Sequence, residues 1–381
     1  VRSFILSGMA FGDESKGSST DALCRNLPVD LIVRYNGGCQ CGHNVITPEG
    51  NHHCFSQFGS GMLANNKVKT HLSRYMLVEP FSMMKEAEAL GKLTDNVWER
   101  TTVDGSAVIV TSFHRHLNRL REQVRGASAH GSCGRGIGVA REMSLKYGDQ
   151  VLLAKDFLKP IDTVNKLYVN TEIMIPEIFE LEDKLNIAHS INAGLWEQCR
   201  HMARGYLTFP VTIVDGLEPA ETMVFEGAQG VLLDEKHGTA PHNTWTNTTF
   251  ENADTLLDEV GCSDRFRIGC FRTYFTRHGA GPFPTEDESL KEFLPETHNG
   301  DTGFQGSFRV GQFDWEKAFI ANRIVGGIDG IALSHMDCLP ALGWREKDFL
   351  DRLRMAIDVP VVMKGYGPTA ESRTIELEVT A

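Results

Sequence analysis

Phe4-Ile5-Leu6 runs through Ser7 into Gly8-Met9-Ala10-Phe11-Gly12-Asp13-Glu14-Ser15-Lys16-Gly17, and Ser18 to Leu23 follow with the small and polar residues of a helix start. A buried strand, a glycine loop and a helix, in that order, decide the fold class. They bring backbone N–H groups and a helix N-terminus to one point, the arrangement that binds phosphate. Small residues permit close approach and Lys16 supplies charge. Asp13 adds a carboxylate that can hold Mg2+ or abstract a proton. The loop resembles a phosphate loop without the Walker A spacing, because Gly8 and Lys16 stand too far apart. Read alone, it is better explained as a tight turn with a solvated lysine.

The same rhythm continues outward. Asp30 to Tyr35 reads as a second strand, ending in the loop Asn36 to Asn44. Residues 82–90 carry a helical pattern closed by Gly91. Val108-Ile109-Val110 is a further strand, and the basic stretch His114 to Arg125 has Leu117, Leu120 and Val124 at helical spacing. The glycine-rich loop Gly126 to Gly138 follows, then a mostly helical stretch over 165–205. Met223 to Gly230 is again a strand entering a glycine turn. Ile331 to Asp337 and Val359 to Met363 read as late strands of the same sheet. No repeat, low-complexity tract or linker interrupts the chain. The expectation is an α/β fold: one large domain over residues 1–381, with a central, mostly parallel sheet, inserted helical subdomains and a P-loop-like phosphate loop.

Composition narrows the function classes. The 381 residues are 41% hydrophobic and 23% charged, which excludes wholesale disorder. No apolar run approaches the roughly 20 residues that span a bilayer, so no membrane partner is expected. The net charge of −12 argues against a nucleic-acid surface. Nine scattered cysteines, an odd count, read as reduced thiols. With no signal-peptide pattern at Val1 to Gly8, the expected setting is cytoplasmic.

Several clusters carry possible chemistry. Cys39-Gln40-Cys41-Gly42-His43 places two thiols and an imidazole within five residues. Structural zinc sites space their cysteines by two to four residues, so small buried thiols with His43 as a possible acid or base are preferred. Ser132-Cys133-Gly134-Arg135-Gly136-Ile137-Gly138 offers hydroxyl, thiol, guanidinium and open backbone, a plausible cradle for a monophosphate. Phe225 to Gly230 and Asn243 to Thr249 are suited to hydrogen-bonding a base edge, and Asp337 could accept from a purine amino or imino group. Each has a bland alternative as a loop or turn. Their shared position at strand ends and glycine turns favours a nucleotide crevice.

Taken in order, these blocks resemble the adenylosuccinate synthetase family. Gly12 to Gly17 resembles its Gly-Asp-Glu-Gly-Lys-Gly loop, and Val33 to Gly38 with Gly42-His43 its second signature. Gly134 to Gly138, Phe225 to Gly230 with His237-Gly238-Thr239, and Thr276-Arg277 through Gly281 to Glu286 are similar to further family motifs. Gly367-Pro368 before Thr374-Ile375 resembles its C-terminal contact segment. The resemblance implies a C–N bond-forming ligase that aminates a 6-oxopurine nucleotide in two steps.

On that resemblance Asp13 takes the N1 proton, the purine O6 attacks the γ-phosphate of a nucleoside triphosphate, and His43 stabilises charge on the leaving β-phosphate. L-aspartate then displaces the 6-phosphoryl group. Phosphorylation turns a poor leaving group into a good one, and the site positions and neutralises charge. Asp13, His43 and Lys16 are the implied catalytic residues. Asp13, Ser15, Gln40, Ser132, Cys133, Gln229 and Thr244 would bind the acceptor purine nucleoside monophosphate. Lys146 stands near the family's arginine that reaches a neighbouring subunit, implying a homodimer. The donor triphosphate would meet Gly12, Glu14, Ser15, Lys16, Gly17, Gly42, His43 and Asn44, then His335, Asp337, Gly367 and Pro368. Mg2+ would lie on Asp13 and the Gly42 carbonyl, and aspartate on Thr302, Gly303 and Arg309.

The departures bear on substrate choice. The family's aspartate loop carries several arginines, whereas Asp301-Thr302-Gly303-Phe304-Gln305-Gly306-Ser307-Phe308-Arg309 keeps Arg309 alone. One missing arginine is the family's contact to the acceptor 2′-hydroxyl, so its loss permits a deoxyribose. Ser15 replaces a loop glycine, and His335 replaces the lysine of the donor-base motif. This combination is similar to the phage branch, which makes N6-succino-2-amino-2′-deoxyadenylate from dGMP; a phage enzyme would work in its host's cytoplasm. Asp13 is retained as in cellular enzymes, which keeps an IMP- and GTP-using enzyme as the alternative. A non-catalytic nucleotide-binding module is a reading of another class, and a zinc protein a distant third.

Overall fold

A computed structural model describes residues 1–191, 194–294, 304 and 306–377. Along the chain its strands are β1 (Arg2–Gly8), β2 (Leu31–Arg34), β3 (His43–Ile46), β4 (His52–Phe55), β5 (Lys69–Leu72), β6 (Leu77–Val78), β7 (Thr101–Asp104) and β8 (Val108–Ile109). Then come β9 (Thr212–Val214), β10 (Thr222–Gly230), β11 (Asp264–Arg272), β12 (Phe275–His278), β13 (Phe308–Gly311), β14 (Gly330–Ser334), β15 (Val361–Gly365) and β16 (Arg373–Ile375). Ten of these make one sheet in the order β16-β15-β14-β11-β1-β10-β2-β5-β7-β9. Neighbours run parallel throughout, except for the antiparallel edge pair β15 and β16.

The opening stretch occupies the centre. β1 lies between β10 and β11, with Ile5 opposite Phe225 on one side and Arg267 on the other. Its residues from Ser3 to Gly8 are buried, as a parallel strand covered on both faces requires. Alternation divides them: Ile5 joins the core on one face, with Phe225, Leu256 and Phe349. Phe4 and Leu6 join the other, with Ala22 and Leu23 of α1 (Lys16–Asn26).

The helical insertion follows β8. It begins with α3 (Ser112–Arg125), after α2 (Pro80–Leu90), and continues through α4 (Ile137–Tyr147), α5 (Pro160–Lys184) and α6 (Leu195–Tyr206). These helices have their own apolar core, in which Leu117, Leu120, Met143, Leu167 and Ile178 meet Val103 and Ile109. Val108 and Ile109 do not enter the large sheet. They pair with Leu77 and Val78 in a separate parallel ribbon.

The parallel strands β1, β2, β10, β11 and β14 point their carboxyl ends the same way. Gly8, Arg34, Gly230, Arg272 and Ser334 therefore open onto one rim, where an open α/β sheet binds ligands. Among the described residues, no helix is long and apolar enough to cross a membrane.

Candidate active site

A cavity of about 720 Å³ lies along that rim. Its floor is the loop between β1 and α1, whose backbone turns left-handed at Gly12 (φ 98°), Asp13 (φ 65°) and Ser15 (φ 59°). Ser15 is the N-cap of α1 but makes no side-chain cap bond, so the first amides of the helix have no side-chain acceptor there. Glu14 turns inward instead. Its Oε1 accepts from the amides of Ala10 (3.1 Å) and Gly12 (2.7 Å), and its Oε2 from Lys16 Nζ (2.7 Å). A Cβ on Gly8 would come within 2.1 Å of that carboxylate, so only glycine fits. Burial opposes the charge on Lys16, but the ion pair outweighs it and raises the pKa above that of an ordinary lysine.

Two carboxylate–imidazole pairs face this floor. His43, at the start of β3, sets Nδ1 2.5 Å from Glu226 Oε1. Glu226, on β10, is wholly buried and also accepts from the Ser60 amide (2.9 Å) and hydroxyl. Burial would raise its pKa, yet the charges of Arg34 and His43 with these bonds bring it to about 2. A carboxylate can only accept, so Nδ1 carries the proton and Nε2 is left for a ligand. Burial lowers the pKa of His43, Glu226 works against it, and Arg34 and Lys16 lower it further; the net direction is down. In the second pair Asp13 Oδ2 lies 3.0 Å from His278 Nε2. Burial of Asp13 is overcome by the hydrogen bond and charge of His278, then by Arg272 and Lys16, giving about 2.

The far wall is held by α3. Asn118 donates to Ser132 Oγ (2.8 Å) and accepts from the Gly136 amide (3.1 Å), while Glu122 accepts from the amides of Gly131 and Ser132. Gln40 brings both amide atoms into the wall, buried and without a protein partner, which suits a polar ligand. Gln229 (φ 61°) and Thr244 close this end. At the other end stand His335, Asp337, Gly367 and Pro368 with Arg272 and Arg373. Burial, then Arg272 and Arg373, hold His335 well below the usual imidazole range, so it stays neutral near pH 7.

The cavity thus gathers Gly12, Asp13, Ser15, Lys16, Gly17, Gln40, Gly42, His43, Asn44, Ser132, Cys133, Gln229 and Thr244. Three sequence-named residues stand apart. The Glu14 side chain lies behind Lys16 and supports the lysine, which leaves only the Glu14 backbone amide for the expected contact to a triphosphate. Lys146 is exposed, with its ammonium over the Tyr147 ring. Arg309 is bound to Glu286 and to the carbonyls of Gly279 (3.0 Å) and Gly281 (2.9 Å). Thr302 and Gly303 lie outside the described residues. Sequence reading missed Arg272, Arg373 and His278 in the wall and Glu226 behind His43. Only Arg272, at the carboxyl end of β11, stood where a signal could be read. Among the described residues, no group of three or more His, Cys, Asp or Glu is arranged to hold a metal, and Cys39 packs with Leu77, Val110 and Ile137 as a small apolar residue.

The family model for adenylosuccinate synthetase matches residues 5–344. The chain belongs to the adenylosuccinate synthetase family. It is a C–N bond-forming ligase of the adenylosuccinate synthetase type. The adenylosuccinate synthetase of Vibrio cholerae is 30% identical over 347 residues, 89% of this chain and 77% of that one. That of Edwardsiella ictaluri is 31% identical over 350 residues, covering 90% and 78%. Two solved structures share the fold. Fully ligated adenylosuccinate synthetase from Plasmodium falciparum has a TM-score of 0.82 at 20% identity, covering 98% of this chain and 99% of that one. The cyanophage S-2L succinoaminodeoxyadenylate synthetase, bound to dGMP and to dATP as energy donor, has a TM-score of 0.70 at 19% identity, covering 98% and 95%.

Proposed function

We propose that the enzyme joins L-aspartate to C6 of dGMP at the expense of ATP or dATP, through a 6-phosphoryl intermediate. The products are N6-succino-2-amino-2′-deoxyadenylate, ADP or dADP, and phosphate, and the setting implied is cytoplasmic, that of a host cell for a phage-encoded chain. The observation that carries the chemistry is that Asp13, Lys16 and His43 line one cavity beside the free end of α1.

Asp13 takes the proton from N1 of the acceptor, and the electron pair released makes O6 the nucleophile toward the γ-phosphorus. Lys16 and the amides of the Gly12–Gly17 loop beyond Gly12, whose own amide is held by Glu14, neutralise the phosphates. His43, held by Glu226, presents Nε2 to the β-phosphate oxygen as it leaves. Burial, Arg34 and Lys16 lower its pKa; the negative charge of a bound triphosphate raises it, so the proton arrives with the substrate. The amine of aspartate then adds at C6 and inorganic phosphate departs with the O6 oxygen.

Mg2+ fits the residues present. The ion usually takes one or two carboxylates with substrate phosphates and water, and Asp13 with the Gly42 carbonyl, both in the cavity lining, would supply the protein share. When bound it would spread the developing negative charge of the phosphates. For aspartate, Thr302, Gly303 and Arg309 are the proposed contacts, with Arg309 exchanging Glu286 for the substrate carboxylate. Exposed Lys146 on α4 is the proposed point of contact with a second copy in a homodimer.

The dGMP reading draws support from the thinned arginine loop, neutral His335 in place of a lysine, and the ligands of the cyanophage enzyme. Asp13 and the curated relatives favour the second reading, IMP with GTP. Phosphate release is the test, with dGMP, GMP and IMP each paired with ATP, dATP and GTP, with and without L-aspartate. Aspartate-dependent turnover is expected with dGMP and an adenine nucleotide. Turnover with IMP and GTP alone overturns the acceptor and donor assigned, and nucleotide binding without any aspartate-dependent product would return the chain to a binding module.

A further inference from the structure

His278 stands inside the Thr276 to Glu286 motif, yet that motif gives its side chain no role, and its pairing with Asp13 belongs to no motif. Both side chains are largely withdrawn from solvent, 22% and 17% exposed, and both line the cavity. The imidazole is built in. His278 ends β12, faces Phe308 across the hairpin, and packs its ring on that phenyl at 5.1 Å. The next residue ties the strands again, Gly279 N donating to Ser307 O at 2.9 Å. Asp13 has no such frame, since it sits on a left-handed turn between Gly12 and Ser15. Lys16 and Arg272 attract its carboxylate by charge, but neither fixes the direction of its lone pairs.

The arrangement inverts the other pair. In Glu226–His43 a buried carboxylate aims an imidazole; in His278–Asp13 an imidazole on a packed hairpin aims a carboxylate. We infer that His278 is a positioning residue for Asp13, holding Oδ2 so that Oδ1 faces the acceptor N1–H. This rests on the assignment of Asp13 as base under the proposed function. Proton abstraction needs the lone pair in line with the N–H, and misplacement by about 1 Å costs about 100-fold in rate. The hairpin that carries His278 also brackets residues 279–307, so the base is aimed by the element that leads into the proposed aspartate loop.

Glutamine can place an amide nitrogen where Nε2 stands, whereas asparagine is too short and valine has no donor. His278→Val, His278→Asn and His278→Gln are therefore compared with wild type. Circular dichroism checks the fold, and isothermal titration calorimetry checks triphosphate binding. Two rates are read: kcat, and, without aspartate, the scrambling of 18O from the β,γ-bridge of the triphosphate into its β non-bridging positions, which reports reversible γ-phosphoryl transfer. His278→Asn and His278→Val are expected to lose about 100-fold in both, with the triphosphate KM changed less than about threefold. His278→Gln should recover at least about tenfold of that loss. Unchanged kcat and scrambling in folded His278→Asn, or a His278→Gln no better than His278→Asn, overturns the inference. So does a loss confined to KM. Should wild type fail to turn over any acceptor, the assignment of Asp13 falls and this inference falls with it; an active wild type with indifferent variants sinks this inference alone.

Discussion

Glu226 is the residue whose role depends most on its neighbours. It is fully buried between Arg34, His43 and Ser60, and it serves both as orienter of an imidazole and as counter-charge to a guanidinium with no exposure of its own. Glu226→Gln keeps the shape but removes the charge paired with His43 and one of two carboxylates, with Glu86, that act on Arg34, and removing one partner of a buried pair costs about 3–5 kcal/mol. Thermal unfolding should show a clear loss of stability. The kcat should fall about 100-fold beyond any loss of folded protein, because a neutral amide no longer stabilises the positive charge that His43 takes on when it is protonated. A variant with native Tm and kcat would remove Glu226 from both roles. His43, Asp13 and Lys16 were legible as candidates because each stands in a recognisable glycine-rich loop. Glu226 was quoted among polar residues for a base edge, and the structure turns it to the opposite task. Strand alternation decides that, since Glu226 and Gly227 point to different faces.

The loop Gly126 to Gly138 depends on α3 as a whole element. Thr111 and His114 form a capping box that starts the helix, and Asn118 and Glu122, one and two turns further on, hold the loop by four hydrogen bonds. Gly136 (φ 85°) starts α4 where its Cα lies against the backbone of His114 and Arg115. A Cβ there would stand 2.6 Å from the Arg115 nitrogen and 2.8 Å from the His114 carbonyl carbon. Gly136→Ala is thus both strained and obstructed, and must push the loop off α3. The acceptor KM is expected to rise more than about tenfold while the triphosphate KM, set at α1, stays within about twofold. Equal changes in both would mean that the loop serves the whole cavity rather than its acceptor end. The helical periodicity of His114 to Arg125 was readable in the sequence. That its polar face grips the glycine loop was not, because the partners of Asn118 and Glu122 lie 9–18 residues away.

At the level of the whole chain, several titratable groups are held in forms that acid opposes. Burial pushes His71 and His114 down to about 4, and Asp13 and Glu226 stand at about 2. An unfolded histidine takes up its proton near pH 6.5, whereas these two resist until about 4, so stability falls as pH drops between those values. The depressed carboxylates act in the same direction below about pH 4.5, their stabilisation being lost as pH approaches 2. Urea unfolding followed from pH 8 to 4 should therefore show a falling midpoint that begins near 6.5. A flat midpoint down to pH 5 would show that the buried imidazoles do not control stability. The contributions come from distant places, strand β5 of the sheet at His71 and the cap of α3 at His114, and so should add.

Strand periods, glycine loops and motif order are local, and they alone determined the α/β class, the burial of Phe4-Ile5-Leu6 and the family. Hydrophobic runs of four to nine residues commit to a two-sided parallel sheet because no other arrangement buries both faces. What the tertiary structure decided was pairing: Glu226 to His43, His278 to Asp13, Arg272 and Arg373 to the cavity, and Val108-Ile109 to a ribbon apart from the main sheet. These partners are separated by tens to hundreds of residues. Hydrogen bonds and ion pairs act over about 3 Å, so such choices exist only after the chain has folded.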